Sequence, residues 1–132
     1  MKMVDSNPRF PLRKIRQALV SLVGQDWVLH TREELMVYEC DGLTLHTRLP
    51  DFVVFPSCTL EVLQIVKLAL VYRVPFLARG AGTSLSGGAI AAEGGIILEF
   101  SRMNQILNID THNRLALVQS GVVNLHITEA AQ

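Results

Sequence analysis

The sequence predicts an α+β fold, with a small mixed sheet, a strand-helix-strand unit and flanking helices. Two short apolar segments, 52–55 and 74–78, enclose a helix-like stretch, 59–72. This order favours a parallel pair of strands joined by a right-handed crossover. Two later segments, 106–110 and 114–120, have the pattern of a β-hairpin. Adding these antiparallel strands to the parallel pair makes the predicted sheet mixed.

The first 50 residues are predicted to be a helical lead-in. Apolar residues three and four positions apart predict a helix over 8–22, and they are Leu12, Ile15, Leu19 and Leu22. Asn7 is the predicted cap of this helix, Pro8 suits its first turn, and Gly24 ends it.

Two more helix starts are predicted from local sequence. Thr31 and Glu34 have the spacing of a capping box, which opens a short helix to about Tyr38. Either Ser57 or Thr59 is predicted to cap the long helix. Its residues expected to face the sheet are Leu60, Leu63, Val66, Ala69 and Leu70.

A third strand is predicted over 96–100, and Gly121 is predicted to close the hairpin that follows it. Asn124 is the predicted cap of a last helix that runs to Ala131. Four apolar residues here are expected to face protein that this chain does not contain: Leu115, Leu117, Val118 and Ile127. An incompletely covered apolar surface is therefore expected.

A glycine- and hydroxyl-rich loop, Arg79 to Gly88, directly follows the second apolar strand. Six of the nine glycines lie between Gly80 and Gly95, and glycine lets successive backbone amides form a concave anion-binding nest. The loop fails the dinucleotide fingerprint G-x-G-x-x-G at Leu85, and it fails the Walker A pattern because Gly88 stands where lysine is needed. Hydrolysis of a nucleoside triphosphate is therefore disfavoured.

The loop and its surroundings resemble the FAD-binding domain of the vanillyl-alcohol oxidase and p-cresol methylhydroxylase (PCMH) flavoprotein family. The similar segments are 51–57, 59–72, 74–75, 79–88 and 95–104. Segments 38–43 and 121–125 are similar to the glycolate oxidase FAD subunit and D-lactate dehydrogenase group of that family. The resemblance implies that residues 51–132 are the N-terminal half of a PCMH-type domain, incomplete relative to the family.

By this resemblance the cofactor is FAD, and loop amides hold its pyrophosphate; the residues concerned are Gly80, Ala81, Gly82, Thr83 and Ser84. The Thr83 and Ser84 hydroxyls would add donors. Gly87 and Gly88 would let the returning backbone pass close to the flavin, and Pro56 would lie near the adenine. Some relatives attach the flavin through a histidine at about position 83, where this chain has threonine, so the FAD is expected to be non-covalent.

Arg79 has two interpretations at the start of the loop. It neutralises the flavin phosphates or supports the loop backbone, or it is a surface arginine at a strand end.

Members of the family continue with a segment that completes the FAD site and with a substrate domain that brings the catalytic base. The resemblance thus implies FAD binding as part of a flavin-dependent 2-hydroxyacid oxidoreductase, glycolate- or D-lactate-like, with no catalytic residue in this chain. Expected partners are the missing C-terminal part as a separate chain and glycolate oxidase-like FAD and iron–sulfur subunits. Two alternatives stay open: a non-catalytic truncated or split fragment that needs a separate chain, and a module for another dinucleotide.

Composition limits the remaining classes of function. Twelve basic and twelve acidic residues cancel, so nucleic acid is not an expected partner, and the basic cluster from Arg9 to Arg16 is interpreted as a solvated helix face. Cys40, Cys58 and the four histidines have no metal-ligand spacing, so no metal site is predicted. No signal peptide and no membrane-spanning segment are recognised, and a cytoplasmic setting is expected, with any membrane contact made through partners.

Overall fold

The computed structural model describes residues 9–132, which contain four α-helices and six strands. Their bounds are α1 Leu12–Val23, β1 Val28–Leu29, α2 Arg32–Leu35, β2 Phe52–Val54, α3 Thr59–Tyr72, β3 Phe76–Arg79, β4 Ile96–Glu99, β5 Ile106–Asp110, β6 Leu115–Val118 and α4 Asn124–Ala130. Single 3-10 turns precede β1 and follow α2. Most predicted elements are thus present within a few residues of their expected bounds.

The main sheet has four strands in the order β1-β2-β4-β3. Strands β2, β4 and β3 are parallel, and β1 pairs antiparallel with β2. The predicted parallel strands β2 and β3 are therefore not neighbours, because β4 lies between them. All four residues of β4 are buried, as expected for a strand covered on both faces and both edges.

The hairpin β5–β6 forms a separate two-stranded sheet. The sheet is mixed, as predicted, but the antiparallel strand is β1 rather than the hairpin. Two residues, Val28 and Leu29, make up β1, and they pair with Val54 and Val53. So short a strand has no periodicity of its own, and the sequence did not predict it.

Helices α1 and α3 cover one face of the main sheet. Ile15 and Leu19 of α1, Ile65 of α3 and Ile96 of β4 are fully buried in this core. The opposite face holds a smaller cluster that includes Leu35, Val53, Ala91 and Ile97. Successive residues of β4 thus alternate between two cores.

The predicted core face of α3 is confirmed in part, because Ala69 is buried and Val66 packs against the core. Ile65 and Ala69 are the buried residues of this helix, whereas Leu60, Leu63 and Leu70 are exposed. Because α3 carries leucine or valine around its whole circumference, its sequence does not distinguish one face from another.

Helix ends differ from the predictions in three places. Helix α1 begins at Leu12 after Pro11, four residues later than predicted, and the proposed cap Asn7 and Pro8 lie outside the described residues. Neither Ser57 nor Thr59 caps α3 through its side chain; instead the Ser57 amide donates to Glu61 Oε2 at 2.6 Å. Asn124 is the first residue of α4 rather than its cap.

The predicted capping box and both predicted glycine turns are confirmed. Glu34 Oε2 accepts from the Thr31 amide at 3.0 Å, and Thr31 Oγ1 accepts from the Glu34 amide at 3.5 Å. Gly24 ends α1 with φ of 94°, a value that favours glycine. Gly121 packs so closely against the carbonyl of Phe100 that a side chain would not fit there.

The hairpin leaves apolar side chains uncovered. Leu115 and Leu117 of β6 are 66% and 61% exposed, as predicted. Leu107 of β5 and Leu125 of α4 are also exposed. Val118 and Ile127 are half-buried. Across residues 9–132, no helix is both long and apolar enough to cross a membrane.

Candidate functional site

The glycine-rich loop begins where strand β3 ends, at Arg79. Strand β2 ends at Val54, and Pro56 lies two residues after it. Because β2, β4 and β3 are parallel, their carboxyl ends lie at the same end of the sheet. Open α/β sheets bind ligands at that end. The sheet therefore places the loop at the edge where a ligand site is expected.

A concave groove of about 350 Å³ lies along the first half of the loop. Its lining consists of Ala78, Arg79, Gly80, Ala81, Gly82, Thr83, Ser84, Gly88 and Ala89. Seven of the nine predicted cofactor residues thus surround one groove. None of the lining residues is a carboxylate or a histidine, so the lining carries no negative side chain.

Backbone amides of the loop are available to a ligand. Within residues 9–132, no protein acceptor receives a hydrogen bond from the amides of Ala81, Gly82, Thr83 or Ser84. Gly82 has φ of +71°, in the region that lets neighbouring amides converge. Unpaired amides around an open groove fit an anionic group.

Arg79 is buried, with 7% of its surface exposed, so the surface-arginine interpretation is wrong. Its Nη1 donates to the carbonyl of Cys40 at 2.9 Å and to that of Ala89 at 2.8 Å. Its Nε is buried without a partner among the described residues. The guanidinium also lies 5.4 Å from the centre of the Tyr38 ring, and its hydrogen bonds join Cys40 to Ala89, the residue that follows the loop.

The buried Glu99 and the half-buried Tyr38 accompany Arg79 at this end of the sheet. Glu99 stands beside Arg79 in the register of β3 and β4, and it accepts from the amide and hydroxyl of Ser101. Burial, reinforced by the nearby Glu99 carboxylate, raises the pKa of Tyr38, and Arg79 acts in the opposite direction. Tyr38 is therefore a neutral phenol beneath the loop at pH 7.

The second half of the loop is tied to Asp41. The Gly87 amide donates to Asp41 Oδ2 at 2.8 Å, and the Leu43 amide donates to Oδ1 at 3.0 Å. The bond from Gly87 contributes most to holding the pKa of Asp41 below its usual value. Gly87 has φ of +77°. Its amide is thus occupied by protein, unlike the amides of residues 81–84.

Two of the predicted site residues lie outside the groove lining. Gly87 lines a neighbouring hollow with Asp41, Leu43 and Ser86. Pro56 is fully buried, so its ring is enclosed by protein.

The sequence did not predict two contacts that shape this edge. The Asp41-Gly42 pair is a turn signal, but it does not indicate that Asp41 accepts from the Gly87 amide. The second contact is made by Arg102, whose guanidinium lies 3.9 Å from the centre of the Trp27 ring and whose Nη1 donates to the carbonyl of Phe55 at 2.7 Å. Both contacts join residues far apart in sequence, so no local pattern marks them.

Other parts of the surface fit a cofactor less well. A wider groove of about 620 Å³ runs along α1 beside Arg13, Arg16 and Gln17. It is walled mainly by a helix whose interior amides are already paired. No cluster of three or more histidine, cysteine or carboxylate side chains placed to hold a metal occurs in the described part of the chain.

The fold and the groove are those expected of a domain that binds an anionic cofactor at the carboxyl ends of parallel strands. The family described as FAD binding domain matches residues 50–132, and the chain belongs to that family. Its cofactor is accordingly FAD, as predicted.

Individual proteins agree with this assignment. The glycolate oxidase subunit GlcD of Escherichia coli is 46% identical over 103 residues, which are 78% of this chain and 21% of that protein. GlcD of Bacillus subtilis is 35% identical over 120 residues, 91% of this chain and 26% of that protein. The D-2-hydroxyglutarate dehydrogenase of Stutzerimonas stutzeri is 33% identical over 114 residues, 86% of this chain and 25% of that protein. The chain spans about a fifth to a quarter of these relatives.

Solved structures confirm the predicted PCMH-type fold. Substrate-bound p-cresol methylhydroxylase superposes with a TM-score of 0.80 at 25% identity, covering 89% of this chain and 24% of that one. An alkyldihydroxyacetonephosphate synthase superposes with a TM-score of 0.78 at 21% identity, covering 97% of this chain and 26% of that one. The helices and the small mixed sheet described above therefore belong to this fold.

Proposed function

We propose that the first half of the loop binds the pyrophosphate of non-covalent FAD, in a protein that oxidises a 2-hydroxy acid of the glycolate or D-lactate type. The observation that carries this proposal is the run of four unpaired amides, Ala81 to Ser84, around the groove. A charge-assisted hydrogen bond from such an amide contributes roughly 1.5–3 kcal/mol. The names of the relatives support the substrate class.

The remaining site residues have smaller roles in this proposal. Thr83 and Ser84 are exposed, and their hydroxyls add donors to the pyrophosphate. Gly88 keeps the groove wall free of a side chain and lets the backbone approach the flavin, while Gly87 turns the loop. The ring of Pro56 is buried, so we assign its adenine contact to the backbone.

Arg79 supplies positive charge from below the groove. Its unpartnered Nε and its burial mean that its charge is poorly screened by water, and an anion in the groove would be attracted to it. FAD, when bound, supplies the acceptor for the α-hydrogen of the 2-hydroxy acid. Because the groove has no base among its lining residues, the catalytic base and substrate clamp are assigned to the rest of the protein.

The alternative is a non-catalytic fragment whose flavin site is completed by a separate chain. The exposed leucines of the hairpin, Leu115 and Leu117, favour this alternative as a place for such a chain to pack. In both readings residues 51–132 are the N-terminal half of the FAD domain and residues 1–50 are its helical lead-in. Glycolate oxidase-like FAD and iron–sulfur subunits would then be further partners.

Titration of residues 1–132 with FAD tests the proposal, with flavin fluorescence as the readout. The informative variant is Gly80→Asp, because a Cβ at Gly80 meets no protein atom within 4 Å. It adds a negative charge to the groove without a clash. Gln17→Glu adds the same charge on the exposed face of α1 and is the matched control. FMN, which lacks the pyrophosphate, and NAD serve as competitors.

We expect saturable binding of FAD by the wild type and by Gln17→Glu, with affinity at least about tenfold lower in Gly80→Asp, equivalent to about 1.4 kcal/mol. The unfolding midpoint of Gly80→Asp should match that of the control. Equal FAD affinity in Gly80→Asp and Gln17→Glu would refute the assigned groove. A folded wild type that binds no FAD until a second chain is added would favour the fragment alternative.

A further inference from the structure

Asp41 contacts the glycine-rich loop at Gly87, outside the run of amides that we propose as phosphate donors. Its side chain is buried, and its two oxygens accept from the Leu43 and Gly87 amides. Gly87 is 46 residues away in sequence, so this bond joins the lead-in region to the second half of the glycine-rich loop. The carboxylate therefore fixes both its own turn and the far end of the loop.

The neighbours of Asp41 contact the same loop at two further points. The Gly42 amide donates to the carbonyl of Ser84 at 3.0 Å. The carbonyl of Cys40 shares Arg79 Nη1 with the carbonyl of Ala89. Residues 40–42 are thus attached to the loop at its middle and at its end.

These attachments leave the proposed phosphate donors free. They occupy the carbonyl of Ser84, the amide of Gly87 and Nη1 of Arg79, but none of the amides from Ala81 to Ser84. Because a peptide unit is planar, fixing the carbonyl of Ser84 also fixes the direction of the next amide. The 40–42 segment can therefore set the shape of the loop without competing with a ligand.

We propose that Asp41, together with Gly42, is a positioning element that holds the glycine-rich loop in its ligand-binding conformation before the cofactor arrives. The relevance to FAD rests on the proposed function, whereas the ordering of the loop does not. An ordered loop loses less conformational entropy when a ligand binds, so a preorganised site binds more tightly.

Charge and geometry predict opposite effects for Asp41, which makes the inference testable. A carboxylate near an anion site repels the pyrophosphate, so removing its charge alone would strengthen FAD binding. Removing the hydrogen bonds that order the loop would weaken it. If Asp41 acts by positioning, a variant that loses both oxygens binds FAD more weakly in spite of the lost repulsion.

The experiment compares amide hydrogen exchange over residues 80–88 and FAD affinity in the full chain. The variants are Asp41→Ala, which removes both acceptors, and Asp41→Asn, which keeps one carbonyl oxygen and removes the charge. Asp110→Asn is the matched control, because Asp110 also accepts an amide hydrogen bond, from Asn113 in the hairpin turn. Gly42→Ala is a second perturbation, since its Cβ would lie 3.1 Å from the carbonyl oxygen of Thr83.

In Asp41→Ala we expect the Gly87 amide to exchange about tenfold or more faster and the affinity for FAD to fall by about tenfold or more. Both are the effect of losing one charge-assisted hydrogen bond. In Asp41→Asn the exchange rate and the affinity for FAD should both lie closer to the wild-type values than to those of Asp41→Ala. Gly42→Ala should change both in the same direction as Asp41→Ala, and it decides the matter if Asp41→Ala fails to fold. Asp110→Asn should leave both at the wild-type value.

Unchanged exchange over residues 80–88 in Asp41→Ala and Gly42→Ala would overturn the inference. Tighter FAD binding by Asp41→Ala would also overturn it, because charge repulsion would then outweigh positioning. If the wild type binds no FAD, the proposed function of the isolated chain fails, and the exchange comparison still decides whether Asp41 orders the loop.

Discussion

The guanidinium of Arg79 occupies the space that a side chain on Gly82 would need. A Cβ on Gly82 would overlap sterically with Arg79 Nη2. Gly82 also has φ of +71°. Arg79 is held in place, because its Nη1 donates hydrogen bonds to two carbonyl groups. Glycine at residue 82 is therefore required by the packing of Arg79 and by its own positive φ.

We expect Gly82→Ala to lower the free energy of unfolding by about 2 kcal/mol or more, from the strained φ and the displaced guanidinium. Gly88→Ala is the matched control in the same loop, because its Cβ would meet no atom within 4 Å. That change should stay within about 1 kcal/mol of the wild type. Urea unfolding of the three proteins measures the difference, and equal stability of the two variants would contradict the packing of Arg79 against Gly82.

The buried face of α3 gives a second prediction. Ile65 has no exposed surface, whereas Leu70 on the other side of the helix is 65% exposed. Ile65→Ala should cost about 2–5 kcal/mol through the cavity it leaves, and Leu70→Ala should cost about 0.5 kcal/mol or less. Thermal or urea unfolding distinguishes them. A larger loss of stability in Leu70→Ala than in Ile65→Ala would show that Leu70 lies on the buried face of α3, as the sequence predicted.

Two errors in the sequence predictions, the buried side of α3 and the omission of β1, share one physical cause. The bounds of α3 follow from local signals, since Pro75 and the turn at Arg73 end it, but its buried side depends on where the sheet lies. Strand β1 exists only through its pairing with β2, and two residues show no period. Local sequence therefore predicted elements well and their partners poorly.

The site shows the same division. Glycine and hydroxyl residues are concentrated in one segment, so the loop could be predicted from composition and from resemblance to a family. The contact between Asp41 and Gly87 spans 46 residues, and nothing near Asp41 in the sequence indicates that partner. The same holds for Arg102, which is 47 residues from Phe55.

Arg102 and Trp27 give a third prediction, with a direct optical readout. Trp27 is the single tryptophan of the chain, and the Arg102 guanidinium lies 3.9 Å from its ring centre. Arg102→Lys keeps the charge but not the planar group that stacks and donates to Phe55. We expect a loss of about 1–2 kcal/mol in stability, from the stacking and the charge-assisted hydrogen bond, and a shifted Trp27 emission.

Arg9→Lys is the control for that change, because Arg9 is exposed and its guanidinium lies 5.3 Å from the Phe10 ring. It should alter neither the stability nor the emission of Trp27. An unchanged emission spectrum in Arg102→Lys would show that Arg102 does not stack on Trp27 in solution.

The capping box gives a prediction about pH. Hydrogen bonds from the Thr31 and His30 amides hold the pKa of Glu34 below its usual value. Because the folded-state pKa is the lower one, the ionised carboxylate stabilises the fold fully above the unfolded-state pKa of about 4.3. That contribution is lost as the pH falls through the folded-state pKa, where the carboxylate becomes protonated.

Unfolding of the wild type and Glu34→Gln between pH 7 and pH 3 measures this contribution. We expect the stability difference between them to be constant above about pH 5 and to shrink below the unfolded-state value of about 4.3. Glu33→Gln removes the same charge from the same helical turn without removing the capping hydrogen bonds, and its difference from the wild type should be smaller at pH 7. A difference for Glu34→Gln that widens as the pH falls would show that the carboxylate is not held in its ionised form by the amides of His30 and Thr31.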